Sequence, residues 1–505
     1  MKRRELLTGL GATALVGGCA DQVPRRVGAS RPHQANVRSA PYNARGDGRT
    51  DDTAAFASAC QAAGVNGTVI VPPGTYIVNN LALNLAGQQW VIQRGATLKS
   101  KAADDSPAAR VSGPGVTITG GGAIDGNRSI QTAGDRNGII CQAPNVTLDG
   151  IVIQNCLANG ILFAYNWSGA TVTRCRFSGI AYTAINADGS TADITGVRIT
   201  GNWIDQYDTE PRPGQALTAP GGISFWNSSA HIWRGFNIVD NFVRLYSYVN
   251  SEYTNINGGV CLRRLSGFVI AGNVFMGGGM PVTLPDAVGG TVTGNHIEGW
   301  SEFAVELAGV TDGAPYKVAV TGNSLIDTDP RSPVHHSEAA IPVGGGSASY
   351  VTIADNVFEQ VSPGGSPAVN IGVGAAMGTV HHITVTGNTL RKTGTGGGIV
   401  VNKSPDVTIA DNILDFGGAD NYAVWLATDN AATPVTLTGQ VITGNQFLNY
   451  GAYSAILYGQ SSGHPGVVDY AIFTNNVFRG GKSGITAQGG ATLGPHTVRV
   501  NNVGP

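Results

Sequence analysis

Carboxylates, aromatic rings and paired arginines crowd into one part of this sequence. Residues 163–253 hold 15 of the 36 aromatic side chains and 4 of the 7 tryptophans, so a binding surface is sought there first. Inside that stretch the run Ile204-Asp-Gln-Tyr-Asp208-Thr-Glu210-Pro-Arg212 follows an isolated Asp188. Two carboxyl groups about 5 to 10 Å apart can divide the work of glycoside hydrolysis. One, protonated, serves the leaving oxygen, and the other activates water or attacks. Asp188 with Asp208 or Glu210 is the expected catalytic set. Tyr207, Trp226, Arg263 and Glu306 are expected to hold the substrate, since aromatic faces suit the apolar C–H faces of sugars. An elimination would use other parts: a cation on a uronate carboxylate and a base for the adjacent proton. Arg263 and Arg264 with Tyr246, Tyr248 or His231 would supply them. The plainer readings are a solvated acidic loop and a surface ion pair.

The elements that position these residues come from a repeat. Val351-Thr-Ile-Ala-Asp-Asn356-Val-Phe358, Ile383-Thr-Val-Thr-Gly-Asn388-Thr-Leu390 and Val407-Thr-Ile-Ala-Asp-Asn412-Ile-Leu414 are well-formed copies. The Asn falls at 202, 241, 273, 295, 323, 356, 388, 412, 445, 476 and 502, with Gly121, Ile151 and Cys175 at that place in earlier copies. Steps of 22 to 39 residues are those of one solenoid coil. Alternation within each copy gives a strand with one buried face. Gly or Asp before the Asn tolerates a left-handed turn. The Asn itself can stack as a ladder at the ~4.8 Å strand spacing. Fourteen coils give a rod on the order of 65 Å long. Asp51 to Ala63 reads as a capping helix with Thr50 or Asp51 as N-cap.

A second strand lies between markers. With Ile185 and Ala187 inward, Asn186 and Asp188 face out, followed by Ser224 and Trp226, Cys261 and Arg263, Thr283, and Ala304 and Glu306. Asp188 and Glu306 are then four coils apart, about 19 Å, too far to act as a pair. Phe163, Phe177, Phe225 and Phe242 are expected in the core. The longest step, between Asn202 and Asn241, carries the acidic run, and long insertions in a solenoid build binding surfaces.

Composition agrees. Of 505 residues 42% are hydrophobic, only 13% are charged and 73 are Gly, without a Gly-x-y period, which fits many short strands and tight turns. The formal net charge of -2 gives no reason to expect a nucleic-acid partner. Lys2, Arg3 and Arg4 precede an apolar run from Leu6 to Val16 that is too short to span a bilayer. Arg3-Arg4 resembles a twin-arginine export signal, and Val16-Gly17-Gly18-Cys19 resembles a lipobox, so Cys19 is the expected lipidation site. The expected division is residues 1–19 signal, 20–38 tether and 39–505 solenoid. Cys60, Cys141, Cys156, Cys175 and Cys261 read as buried thiols, with Cys156–Cys175 a disulfide candidate. The pairs His335-His336 and His381-His382 are expected in loops. Neighbouring residues of a strand face opposite sides, which argues against chelation by either pair, and no metal site is expected.

Asn43-Ala-Arg-Gly-Asp-Gly48-Arg-Thr-Asp-Asp52-Thr-Ala-Ala-Phe56, then Gly67-Thr-Val-Ile-Val-Pro-Pro-Gly-Thr-Tyr76, resembles the opening of the pectate-lyase-like β-helix superfamily. Gly121-Gly-Ala-Ile-Asp-Gly126 is similar to a segment of polygalacturonases. The resemblance implies an all-β, single-stranded, right-handed parallel β-helix. It also implies a polysaccharide or oligosaccharide partner. The Asn-x-Asp, Asp-Asp, Gly-His-Gly and Arg-Ile-Lys of polygalacturonases and the Asp-Pro-His-Asp of alginate epimerases are absent at matching places, so no catalytic residue carries over. Asp47 and Asp125 read as turn residues. The resulting expectation is an exported, periplasmic or outer-membrane-anchored carbohydrate-active enzyme. Glycoside hydrolase comes first, then polysaccharide lyase, with a non-catalytic glycan-binding or envelope solenoid as the alternative. No cofactor is expected, and a monomer or homotrimer is.

Overall fold

The computed structural model describes residues 33–102, 106–132, 136–209, 220–246, 258–308, 316–327, 339–360, 366–375, 378–394, 396–428, 435–459 and 466–504. Glu210, Tyr248, His335, His336 and Cys19 lie outside the described residues. The chain is a parallel β-helix. Each coil contributes a strand to three faces, here named A, B and C in chain order, as in Ile194–Thr200, Trp203–Asp205 and Gly221–Trp226. Each strand pairs in parallel with its counterpart in the next coil.

Face A has 17 strands, from Gln34–Asn36 to Val498–Val500. The Asn marker reveals fourteen coils; the strands Gln34–Asn36, Thr68–Val71 and Gln89–Ile92 lie before its first copy. The β-helix thus starts at Gln34, inside the stretch expected as a tether, because Gln34–Asn36 pairs with Thr68–Ile70. One inward column of face A reads Val172, Ile199, Ile238, Ile270, Val292, Val320, Ile353, Val385, Ile409, Ile442, all fully buried. Burial of such a side chain contributes about 1.5–3 kcal/mol, and the column repeats that gain in every coil.

The Asn ladder runs unbroken from Asn202 to Asn502. At each step the backbone N–H and Nδ2 of one Asn donate to Oδ1 of the next, as Asn356 does to Asn388 at 3.0 and 3.0 Å. Nδ2 also donates to a carbonyl of the preceding coil, Val320 for Asn356 at 2.9 Å. Cys175, at the same position one coil earlier, donates its N–H to Asn202 Oδ1. The ladder satisfies polar groups that burial would otherwise leave unpaired.

Helix α1 spans Thr53–Ala63, two residues later than expected, with Phe56, Ala59, Cys60 and Ala63 buried on one side. Asp52 is the N-cap residue, but its carboxylate accepts the N–H groups of Arg45 and Gly46 instead of capping α1. Asp51 takes that role, accepting from the Thr53 N–H and hydroxyl. Phe56 meets Tyr76 and Trp90 at 5.2 and 6.3 Å between ring centroids, which fastens α1 to the first coils.

Asp47 and Asp125 are turn residues. The Thr50 and Arg49 N–H groups on Asp47 hold its carboxyl down at about 2. Asp125 accepts from the Asn127 N–H and from the Gln154 and Asn155 amides. All five described cysteines are free, so the Cys156–Cys175 disulfide is not formed. Cys60, Cys141, Cys156 and Cys175 are buried as expected and Cys261 is only partly so, and burial pushes the Cys175 thiol up to about 12.

His381 and His382 correct the rule applied to them: they lie in the strand Val380–Thr386, not a loop. His382 takes a left-handed conformation (φ 55°), which turns its ring to the same side as His381, with the two Nδ1 atoms 2.6 Å apart.

Candidate functional site

The outward row expected on face C is continuous in the structure. Asn186, Ser224, Cys261, Thr283 and Glu306 are successive rungs, so Asn186 and Glu306 are four steps apart. Ile185 and Ala187 face the core as expected. Asn186 departs from expectation: it is buried although outward-facing, because protein covers that part of face C. Its Nδ2 donates to Asp188 Oδ2 at 3.1 Å.

Asp188 directly follows its strand, which ends at Ala187, and the next two rungs at that end carry Trp226 and Arg263. The guanidinium carbon of Arg263 lies 4.3 Å from the Trp226 ring centroid, and Trp226 keeps 38% of its surface exposed. Asp188 reaches solvent, yet protein crowds its carboxyl enough to raise it above the ordinary carboxylate range, with the Asn186 amide pulling the other way. Its backbone carbonyl accepts the Ser228 hydroxyl, which fixes the strand end. Burial raises the phenol of Tyr182, and the charge of Asp188 adds to it. Cys261 is pushed up to about 12 by burial, then by Glu306, so it stands in the row as a neutral thiol.

Asp205, Tyr207 and Asp208 group differently. Arg244 donates to both oxygens of Asp205 at 3.0 and 2.7 Å and lies 5.2 Å from the Tyr207 ring centroid. Tyr207 meets Tyr246 at 5.6 Å. Asp208 is exposed, and its charge acts on Arg244. Asp188 and Asp208 share no hydrogen-bond or charge partner among the described residues. Phe242, expected in the core, instead faces outward on face B, stacked on Trp203 at 4.0 Å.

Where face C turns into face A the structure adds residues the alternation did not single out. Asn227, Ser229, His231, Arg264 and Asp286 line a cleft of about 310 Å³. Buried Asn227 holds it together, donating to the carbonyls of His231 and Arg264 at 2.9 and 3.1 Å. His231 Nδ1 is 3.6 Å from Asp193 Oδ1. His231 and Arg264 read from their types as parts for an elimination, whereas Asn227, Ser229 and Asp286 carry no such signal. No group of three or more His, Cys, Asp or Glu is placed to hold a metal ion among the described residues.

An exposed tryptophan under an arginine, a crowded carboxyl and a polar cleft on a β-helix are features of a surface that takes extended polar ligands. Residues 35–86 match the family model described as rhamnogalacturonase A/epimerase, pectate lyase-like, and residues 286–478 match that of the right handed beta helix region. The fold is a right-handed parallel β-helix, in agreement with the second of these matches. No curated protein matches the sequence.

Solved structures of similar course include the Dettilon tailspike protein, at 15% identity over 85% of this chain and 69% of that one, with a TM-score of 0.49. The surface adhesin PfbA of Streptococcus pneumoniae is similar at 17% identity over 82% and 91%, TM-score 0.47. The family 28 exopolygalacturonase of Yersinia enterocolitica is similar at 14% identity over 86% and 79%, TM-score 0.44. Likeness of this degree concerns the course of the chain and not its chemistry.

Proposed function

We propose that the chain binds a polysaccharide along face C between residues 160 and 310 and hydrolyses it with Asp188 as proton donor. The observation that carries this reading is the crowded, raised carboxyl of Asp188 beside the Trp226–Arg263 pair. A carboxyl whose proton is held more firmly than usual, next to a sugar platform, suits proton donation to the leaving oxygen of a glycoside. Asp208 or Glu210 is the second carboxylate of this reading. Tyr207 and Glu306 complete the contacts along the groove. Export, with Cys19 as lipid anchor, and a monomeric or trimeric state belong to the same proposal.

Two observations favour other readings. Arg264 and His231 share one cleft, the parts an elimination needs. Asp188 and Asp208 have no partner in common among the described residues, and a non-catalytic glycan-binding or envelope solenoid needs no such pairing. Product analysis over a polysaccharide panel separates all three. New reducing ends without unsaturated-uronate absorbance are expected. That absorbance would make the protein a lyase, and binding without turnover would leave the non-catalytic solenoid.

A further inference from the structure

The register of face A lines up one position from coil to coil at the start of each strand. Gly196, Gly235, Gly267 and Gly289 hold it in the middle coils, all with positive φ. Further along, the same column holds Lys317, then Tyr350, His382, Asp406, Gly439 and Tyr470, these five all left-handed, and then His496. A left-handed conformation is costly for a bulky ring, and glycine serves there elsewhere in the chain. Side chains placed against that cost point to a function.

The column forms two aromatic pairs. Tyr350 stacks on His382 at 5.0 Å, and Tyr470 on His496 at 4.2 Å with planes 7° apart. Each histidine has a carboxylate beside it: Asp406 at 4.0 Å from His382 Nδ1, and Asp469 at 3.0 Å from His496 Nδ1. Tyr350 and Tyr470 keep 51% and 59% of their surface exposed. Gly439 has no side chain, so the face of Tyr470 turned away from His496 is left open. A slot two rungs wide, about 10 Å, separates that face from Asp406. A cleft of about 520 Å³ reaches from Tyr350 past Thr384, Asp406 and Thr408 to Gly439.

We infer that this ridge is a second saccharide-binding site, distinct from the groove of Asp188 and independent of it. A sugar ring stacks on the open face of Tyr470 above Gly439, and the chain runs back along the Thr384 and Thr408 hydroxyls to Tyr350. Tyr350 and Tyr470 are four rungs apart, about 19 Å, which a linear oligosaccharide spans. Among the described residues the cleft walls carry one carboxylate, Asp406, and no lysine or arginine, Lys317 lying beyond Tyr350 at the outer end, so the ligand is a neutral glycan and not a polyuronate.

Native affinity electrophoresis in gels containing xylan, glucomannan or mixed-linkage glucan tests the inference, with polygalacturonate as the anionic comparison. At least one neutral polysaccharide is expected to retard the protein. Tyr350→Ala and Tyr470→Ala should each weaken retardation at least fivefold, in the parent and equally in a Trp226→Ala background that weakens the face C groove. Tyr350→Gly should lose binding while raising the thermal midpoint, since glycine accepts the left-handed backbone, which separates lost binding from lost fold. Retardation unchanged in both tyrosine alanine variants, seen with polygalacturonate alone, or absent from every gel would overturn the site. None of these results bears on turnover at Asp188.

Discussion

Arg263 lies over the ring of Trp226 on the adjacent rung, 4.3 Å from guanidinium carbon to ring centroid, and Asp188 occupies the same strand end one rung earlier. Parallel register puts a cation, an apolar face and a crowded carboxyl in a line along the solenoid axis, the direction a polymer would follow. The pair itself is worth about 1 kcal/mol at an exposed site. Trp226→Ala should therefore weaken polysaccharide binding about tenfold, through loss of ring area and of Arg263's seat. Isothermal titration of the hydrolysed polysaccharide checks this, and unchanged affinity would remove Trp226 from the groove.

The state of Asp188 predicts a pH profile. Crowding raises its carboxyl, so the acid form persists above the ordinary range near 3.9. As proton donor it is lost as pH rises, so the alkaline limb of kcat/KM should fall at a pH above that range. Asp208→Asn and Glu210→Gln should each remove the acidic limb if that residue is the partner carboxylate. An alkaline limb that remains in Asp188→Asn would assign the donor elsewhere.

The Asn ladder predicts where the fold is least tolerant. Asn356 Oδ1 accepts from the Asn323 N–H and Nδ2, and its own Nδ2 donates to Val320 and Asn388. Asn356→Ala leaves several buried groups unpaired and should cost about 3–5 kcal/mol in urea unfolding. Asn502→Ala, at a half-buried final rung, should cost less than half as much. Equal losses would mean that the ladder is not cooperative with burial.

Lys392 is fully buried, donating to Gln360 Oε1 at 3.3 Å and to the Ser366 carbonyl, and burial lowers its pKa to about 8 from 10.5. Between those values the unfolded chain binds the proton and the folded chain does not, so this group's contribution to stability rises with pH across that window. Below pH 8 the charged form costs about 3 kcal/mol. Lys392→Met should therefore be more stable than the parent at pH 7, with the difference shrinking between pH 8 and 10.5. A pH-independent difference would show that folding does not lower the Lys392 pKa.

These features differ in how far the sequence reveals them. The Asn ladder is legible because each rung repeats one short pattern, and the phase of that pattern assigns Ile185 inward and Asp188 outward. The three rungs beginning at Gln34, Thr68 and Gln89 are not, because they lack the Asn. Alternation tells which side a residue faces and not what covers it, so burial of Asn186 is invisible, as is the outward turn of Phe242. Turn residues have no period, so Asn227, Asp193 and Asp286 escape notice. His382 escapes for a related reason, since nothing in its type announces a left-handed backbone.

The central claim is that Asp188 donates the proton in a hydrolysis on face C. Its most direct test is reducing-end release by the parent and by Asp188→Asn on one polysaccharide, with circular dichroism confirming the fold of both. The account predicts a fall of about 10²–10⁴-fold in kcat with the folded state intact. Full activity in Asp188→Asn, or no release by the parent on any polysaccharide, would contradict it.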